Sequence, residues 1–281
     1  MIKNLKFRIL NRLNFLKYNF YFKKVTIHNR NWIIPVVDKM GYSYTFSENT
    51  EEWIYNFLNK LFDLVDIDFF IDVGVNVGQT LLKVKSIDSS MPYYGIEPNI
   101  NCAYYVKQLI EVNQLVNTEI ICAASGQKDK EVLSLTYNGI SDTRATTSTN
   151  ENTPKDMRHN SIVPVMSING LFDGIKTNFQ NVVIKIDVEG GELDVLKGAS
   201  KVLIKHSPIV IFEVLPHQKS KSVIEQQNLL FKFFKKIDYK IFRISQTGHI
   251  HKISDFNNSD NFKLSDYIAI PQSMRDILSK I

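Results

Sequence analysis

From residue 68 onward, apolar runs of strand length alternate with longer stretches of helical spacing. That alternation admits few folds other than a mostly parallel sheet covered by helices. The runs predict strands over 69–73, 93–97, 119–122, 182–187, 208–213, 240–245 and 267–270, with helices over 78–86, 99–113, 191–204 and 222–237. The first, second and fourth runs are almost continuously apolar, as expected of strands covered on both faces. Between the third and fourth the chain detours. Residues 130–137 and 161–167 alternate like edge or hairpin strands around a polar stretch, 138–160, long enough to read as a functional loop.

A different pattern precedes this domain. In residues 1–20, Ile2, Leu5, Ile9, Leu13, Leu16 and Phe20 share one helical stripe with basic margins. Such a helix docks on protein or lies on an anionic membrane surface, and both readings stay open. Residues 25–27 and 32–37 read as strands joined by a four-residue loop, 28–31, and 51–64 returns to helical spacing. Residues 1–64 are expected to pack on the 65–281 domain, because their own core would be very small.

Composition narrows the function. With 44% hydrophobic and 22% charged residues the chain is an ordinary globular one, and no apolar run is long enough to span a membrane. The net charge of +5 is uneven: residues 1–30 hold eight basic side chains and no acid, while the remainder holds 26 basic against 29 acidic. A nucleic-acid groove would spread positive charge over the folded body, so no nucleic-acid partner is expected. Two cysteines, Cys102 and Cys122, make no disulfide framework and are read as small buried residues of the sheet region. Together with the lack of an apolar leader they fit a cytoplasmic location, with peripheral membrane contact through residues 1–20 as an addition.

Three segments carry chemistry. The first strand ends in Ile71-Asp72-Val73-Gly74-Val75-Asn76-Val77-Gly78-Gln79. Gly74 and Gly78 allow a tight strand-to-helix turn and close approach of a ligand to the helix N-terminus. No Gly-Lys-Ser/Thr follows, which excludes a P-loop, and Asn76 stands where a dinucleotide fingerprint has its second Gly. An acid ahead of the turn then favours a cofactor with a cationic amino-acid end. The second strand ends in Glu97-Pro98, where a carboxylate can accept from two ribose hydroxyls. Because Glu97 lies 19 residues after Gly78, an NAD(P)-linked oxidoreductase stays open. The third segment, Ile184-Lys185-Ile186-Asp187-Val188-Glu189-Gly190-Gly191-Glu192, gathers acids and a lysine at the end of a buried strand, a costly placement without a role. Strand alternation sends Lys185 and Asp187 to one face.

Residues 71–79, 95–98, 123–125 and 184–192, continued by Val195-Leu196-Lys197-Gly198-Ala199, resemble the FkbM family of O-methyltransferases that use S-adenosylmethionine (SAM). The likeness runs over about residues 25–270. It implies an α/β, Rossmann-like class I methyltransferase fold: a mostly parallel seven-stranded sheet with an antiparallel last hairpin and helices on both faces. It also implies that Asp72, Gly74, Asn76, Gly78 and Gln79 hold the methionine end of SAM. Glu97 and Pro98 would serve the ribose, and Ala123 and Ala124 the adenine. Asn169 departs from the family's frequent Asp, and 138–160 matches no family pattern. For methyl transfer to a hydroxyl, Asp187 is the first choice of general base, or of ligand to a Mg²⁺ that lowers the hydroxyl pKa. Glu189, Lys185 and His217 follow as alternatives. The expected partner is a hydroxylated small molecule or glycan; a catalytically silent binding protein on the same fold is the remaining alternative.

Overall fold

The structure, a computed structural model, describes residues 9, 10, 12, 19–42, 44, 51–137, 146–148, 159–175, 179–188, 190–214, 220–256 and 265–277. Two strands, β1 (Tyr21–Ile27) and β2 (Arg30–Val36), open it as an antiparallel hairpin. The connecting turn is two residues, not the expected four. His28 and Asn29 both take positive φ, at 49° and 59°, the backbone a tight hairpin turn requires, so the strands pair up to Ile27 and Arg30.

The main sheet follows. Its strands are β3 (Phe69–Val73), β4 (Tyr93–Ile96), β5 (Thr118–Ile121), β10 (Val182–Ile186), β11 (Ile209–Glu213), β12 (Tyr239–Ile244), β13 (Ile250–Lys252) and β14 (Asp266–Pro271). They are ordered β13-β12-β14-β11-β10-β3-β4-β5, one strand more than the seven expected, because the turn after β12 returns as the short edge strand β13. Neighbours from β5 through β11 pair in parallel, while β14 runs antiparallel to both β11 and β12. The order reverses between β3 and β10, and such a switch point opens a crevice at the carboxyl ends of the strands.

Alternation along the strands sorts the core into two layers. Phe70, Tyr93, Val183, Ile211 and Ile268 face one side, where they meet the hairpin, α1 (Glu52–Leu64), α2 (Gln79–Ile87) and α3 (Ile100–Val112). Phe69, Ile71, Ile184, Val210 and Phe212 face the other. There they meet α4 (Ile168–Gly174), α5 (Glu192–Gly198), α6 (Ser200–His206) and α7 (Lys221–Lys236). The helix expected over 191–204 is divided in two at Ala199. Gly198 ends the first piece against the Gly126 carbonyl, where an added Cβ would lie 2.0 Å from the oxygen. Asn169 acts locally, its Oδ1 accepting from the Lys201 and Val202 amides at 3.1 and 3.2 Å in the first turn of α6.

The hairpin is bound to the domain by specific contacts. Asn113 Oδ1 accepts from the Ile33 amide and its Nδ2 donates to the Ile33 carbonyl, both at 2.8 Å. Tyr105 Oη donates to the Pro35 carbonyl at 2.8 Å. Between β5 and β10, β6 (Ala124–Ser125), β7 (Val132–Tyr137), β8 (Thr146–Ser148) and β9 (His159–Met166) form a separate sheet in the order β6-β9-β7-β8. Strand β8 falls inside the stretch read as loop; 138–145 and 149–158 lie outside the described residues. Cys102 is buried, but on α3 rather than in the sheet, and Cys122 is exposed just beyond β5. No helix of the described residues is long and apolar enough to cross a membrane.

Candidate active site

The polar residues gather at the carboxyl ends of the central strands. Each column that is apolar in the core ends there in a charged side chain: Phe70 leads to Asp72, Val183 to Lys185 and Asp187, Ile211 to Glu213, and Ile268 to Asp266. All therefore emerge on the face covered by α1 to α3. Glu97 lies one residue past β4. Five neighbouring strands thus present a carboxyl group at one sheet end. Lys185 stands among them, and buried Lys83 of α2, paired with Glu51 at 2.9 Å, adds its charge to Asp72 and Asp266.

The glycine turn adjoins this row. Gly74 takes φ 87° and its amide donates to the Ile96 carbonyl at 2.9 Å. A Cβ there would sit 1.9 Å from the Asp187 carbonyl oxygen, so only glycine lets the first turn pass the end of β10. Asn76 and Gly78 also have positive φ, and Gly78 starts α2 with no side chain capping its first turn. Glu97, 6% exposed, ties this turn to the next strand. Its Oε2 accepts from the Asn76 amide and its Oε1 from the Asn99 amide, both at 2.8 Å. Burial raises the Glu97 carboxyl to about 7, against the pull of those two amides.

Lys185 organises the centre. Its Nζ lies 2.9 Å from Asp187 Oδ2 and 3.8 Å from Asp72 Oδ1. Burial alone would favour the neutral amine, yet the Asp187 and Asp72 charges outweigh it and hold the ammonium firmly protonated. Asp72 has no exposed surface and accepts from the Tyr93 hydroxyl. In this arrangement Lys185 is its counter-ion. Burial lifts its carboxyl to about 6, with Lys185 and Tyr93 pulling the other way. Asp187, its side chain 39% exposed, is kept below the usual carboxylate range: burial opposes this, but Lys185 and hydrogen bonds from Lys185 and Glu213 prevail.

Two residues not singled out from the sequence complete the row. Glu213, at the end of β11, accepts from Ser265 Oγ at 2.7 Å, and burial followed by the Asp187 charge pushes its carboxyl up to about 8. Asp266 pairs with Glu213 across β11 and β14, and burial raises it to about 7 against the pull of Lys185. The available signal was an acid closing an apolar strand in 208–213, as in the two strands already noted. Of the remaining expected residues, Gln79 and Pro98 are half-buried beside the turn, and Ala123 and Ala124 are almost wholly buried. Glu189 and His217 lie outside the described residues. Among the described residues no three His, Cys, Asp or Glu side chains are grouped to hold a metal ion, so the Mg²⁺ alternative finds no ligand set there.

An open α/β sheet with a glycine turn and acidic strand ends at its switch point defines a class of cofactor-binding domains. Comparison narrows it. The family model of the methyltransferase FkbM domain matches residues 72–254, so the chain belongs to the FkbM methyltransferase family, a SAM-dependent one. Comparison with curated proteins gave no match. Solved structures that resemble it include methyltransferase FkbM from Methylobacillus flagellatus KT, at 16% identity and TM-score 0.46, covering 81% of this chain; the chain spans 52% of that structure. A precorrin-6y C5,15-methyltransferase from Geobacter metallireducens GS-15 matches at 9% identity and TM-score 0.42, over 79% of this chain and 87% of that one. A Pyrococcus abyssi tRNA (uracil-54, C5)-methyltransferase in complex with S-adenosyl-L-homocysteine (SAH) matches at 11% and 0.43, over 88% of this chain and 43% of its own.

Proposed function

We propose that the protein is a SAM-dependent O-methyltransferase whose acceptor is a hydroxyl of a sugar, a glycan or a natural product. The observation that carries this reading is the row of carboxyl groups on neighbouring strand ends beside the glycine turn. A hydroxyl is a weak nucleophile until its proton is withdrawn. Carboxyl groups whose proton affinity burial has raised toward neutrality suit that withdrawal.

The residues fit the cofactor. The first turn of α2 carries no side-chain cap, so its backbone N–H groups suit the amino-acid carboxylate. Each Glu97 oxygen accepts one backbone amide and keeps a lone pair for a ribose hydroxyl. Gly74, Asn76, Gly78 and Gln79 would then hold the methionine end, Glu97 and Pro98 the ribose, and the segment at Ala123 and Ala124 the adenine. When bound, SAM supplies an electrophilic methyl group. Asp187 orients the acceptor beside it, with Lys185 fixing the Asp187 carboxylate.

Calorimetry with SAM, SAH and NAD⁺ tests the cofactor assignment; preference for NAD⁺ overturns it. Transfer of labelled methyl from SAM to a mixture of neutral sugars and glycosides tests the acceptor class, with a base-stable methyl ether as the expected product. SAM binding with no ether formed on any hydroxyl refutes O-methylation.

A further inference from the structure

We propose that Glu213 is the catalytic base of this site, the carboxyl group that receives the acceptor hydroxyl's proton, with Asp187 as a positioning residue beside it. The proposal rests on the O-methyltransferase reading.

Position comes first. Ile186 and Phe212 pair in register, and Asp187 and Glu213 are the next residues on those two strands. The two carboxyl groups are close enough for each to shift the other's proton affinity, Asp187 downward and Glu213 upward. Glu213 lies on the side of Asp187 away from the glycine turn and Glu97, since β10 separates β11 from β3. An acceptor approaching from beyond the cofactor's binding residues therefore meets Glu213 and Asp187 together. Both are partly exposed, whereas Asp72 is sealed beneath them.

Commitment distinguishes the two. Asp187 is bound to the Lys185 ammonium at 2.9 Å, and protonating it would strip a buried cation of its nearer counter-ion. Among the described residues no cation lies within ion-pair distance of Glu213. The groups facing Glu213 are Asp187 on β10 and Ser265 and Asp266 on the β14 side. Burial, then the Asp187 charge, and to a lesser degree Asp266, raise its proton affinity, while the Ser265 hydroxyl opposes them. A base poised near the working pH is the effective one. Asp187 therefore acts through Glu213, by keeping it basic.

The step balances. As the acceptor oxygen forms its bond to the methyl carbon, the sulfur–carbon bond breaks and its electron pair stays on sulfur. The hydroxyl proton passes to the Glu213 carboxylate, so the sulfonium charge and the carboxylate charge vanish together.

The test uses the full chain with ¹³C-labelled glutamate and aspartate carboxyl groups, and the variants Glu213→Gln and Asp187→Asn. NMR titration is expected to show a glutamate carboxyl near pH 8 that is absent in Glu213→Gln and moves to lower pH in Asp187→Asn. In methyl transfer to neutral sugars, wild-type turnover should climb through that pH. Glu213→Gln should lose about 100-fold while binding SAH as the wild type does, which also certifies its fold. In Asp187→Asn the rising limb should move to lower pH, a shift that a merely structural residue would not produce. Near wild-type turnover in Glu213→Gln overturns the proposal, as does a glutamate titration unmoved by Asp187→Asn. If the wild type binds SAM but methylates no hydroxyl, the O-methyl reading fails, and the titration still decides whether the carboxyl pair exists.

Discussion

Lowering the pH from about 8 to about 6 is expected to weaken SAH binding roughly tenfold, because Glu97 must be ionised to accept from two ribose hydroxyls. Burial places its carboxyl at about 7, opposed by the Asn99 and Asn76 amides and aided by the Asp72 and Asp187 charges. A ligand that requires the carboxylate binds in proportion to the ionised fraction, about nine-tenths at pH 8 and about a tenth at pH 6. The difference is about 1.4 kcal/mol. Glu97→Gln keeps the shape but loses the charge. It should bind about 1.5–3 kcal/mol more weakly at pH 8, the range for hydrogen bonds to a charged group, with little residual slope. Calorimetry across this range, in buffers of different ionisation heat, reads both the affinity and the proton released on binding. Asp72 and Asp266 titrate nearby, at about 6 and about 7, which is why the variant is needed. A flat wild-type profile, or a slope that survives in Glu97→Gln, refutes the ribose assignment.

The same linkage acts on stability. A carboxyl raised by folding stabilises the fold fully below its unfolded value and loses that contribution as pH rises through its folded value. The ligand-free protein should therefore melt lower at about pH 8 than at about pH 5, and Glu97→Gln should flatten the decline. Gly74→Ala should cost at least about 1–2 kcal/mol for the left-handed backbone alone, and the clash with the Asp187 carbonyl adds to it; thermal unfolding and SAH affinity both report it. Lys185→Met should cost about 3–5 kcal/mol at neutral pH by leaving Asp72 buried without its cation, and the loss should shrink in acid as Asp72 protonates.

Much of this arrangement is written locally in the chain. Apolar periodicity located the strands and most helices to within a few residues, because burial on two faces leaves a run such as Val182–Ile186 little alternative. Gly74 and Gly78 announced the turn, since positive φ is a demand that one residue meets alone. Alternation likewise put Lys185 and Asp187 on one face, and they pair at 2.9 Å. Other features depend on which strands become neighbours, a matter of contacts between distant segments. Register sets Lys185 opposite Asp72, 113 positions earlier, and so supplies a buried acid with its counter-ion. It brings Ser265 and Asp266 to Glu213 from half a hundred residues away, and with them the raised proton affinity at the end of β11. The eighth strand, the division of one helix at Ala199 and the exposure of Cys122 follow the same rule. Each answers to a close approach or a free edge that no local pattern encodes. A carboxyl group's place in the chain is local, but its charge state belongs to the neighbours that folding supplies.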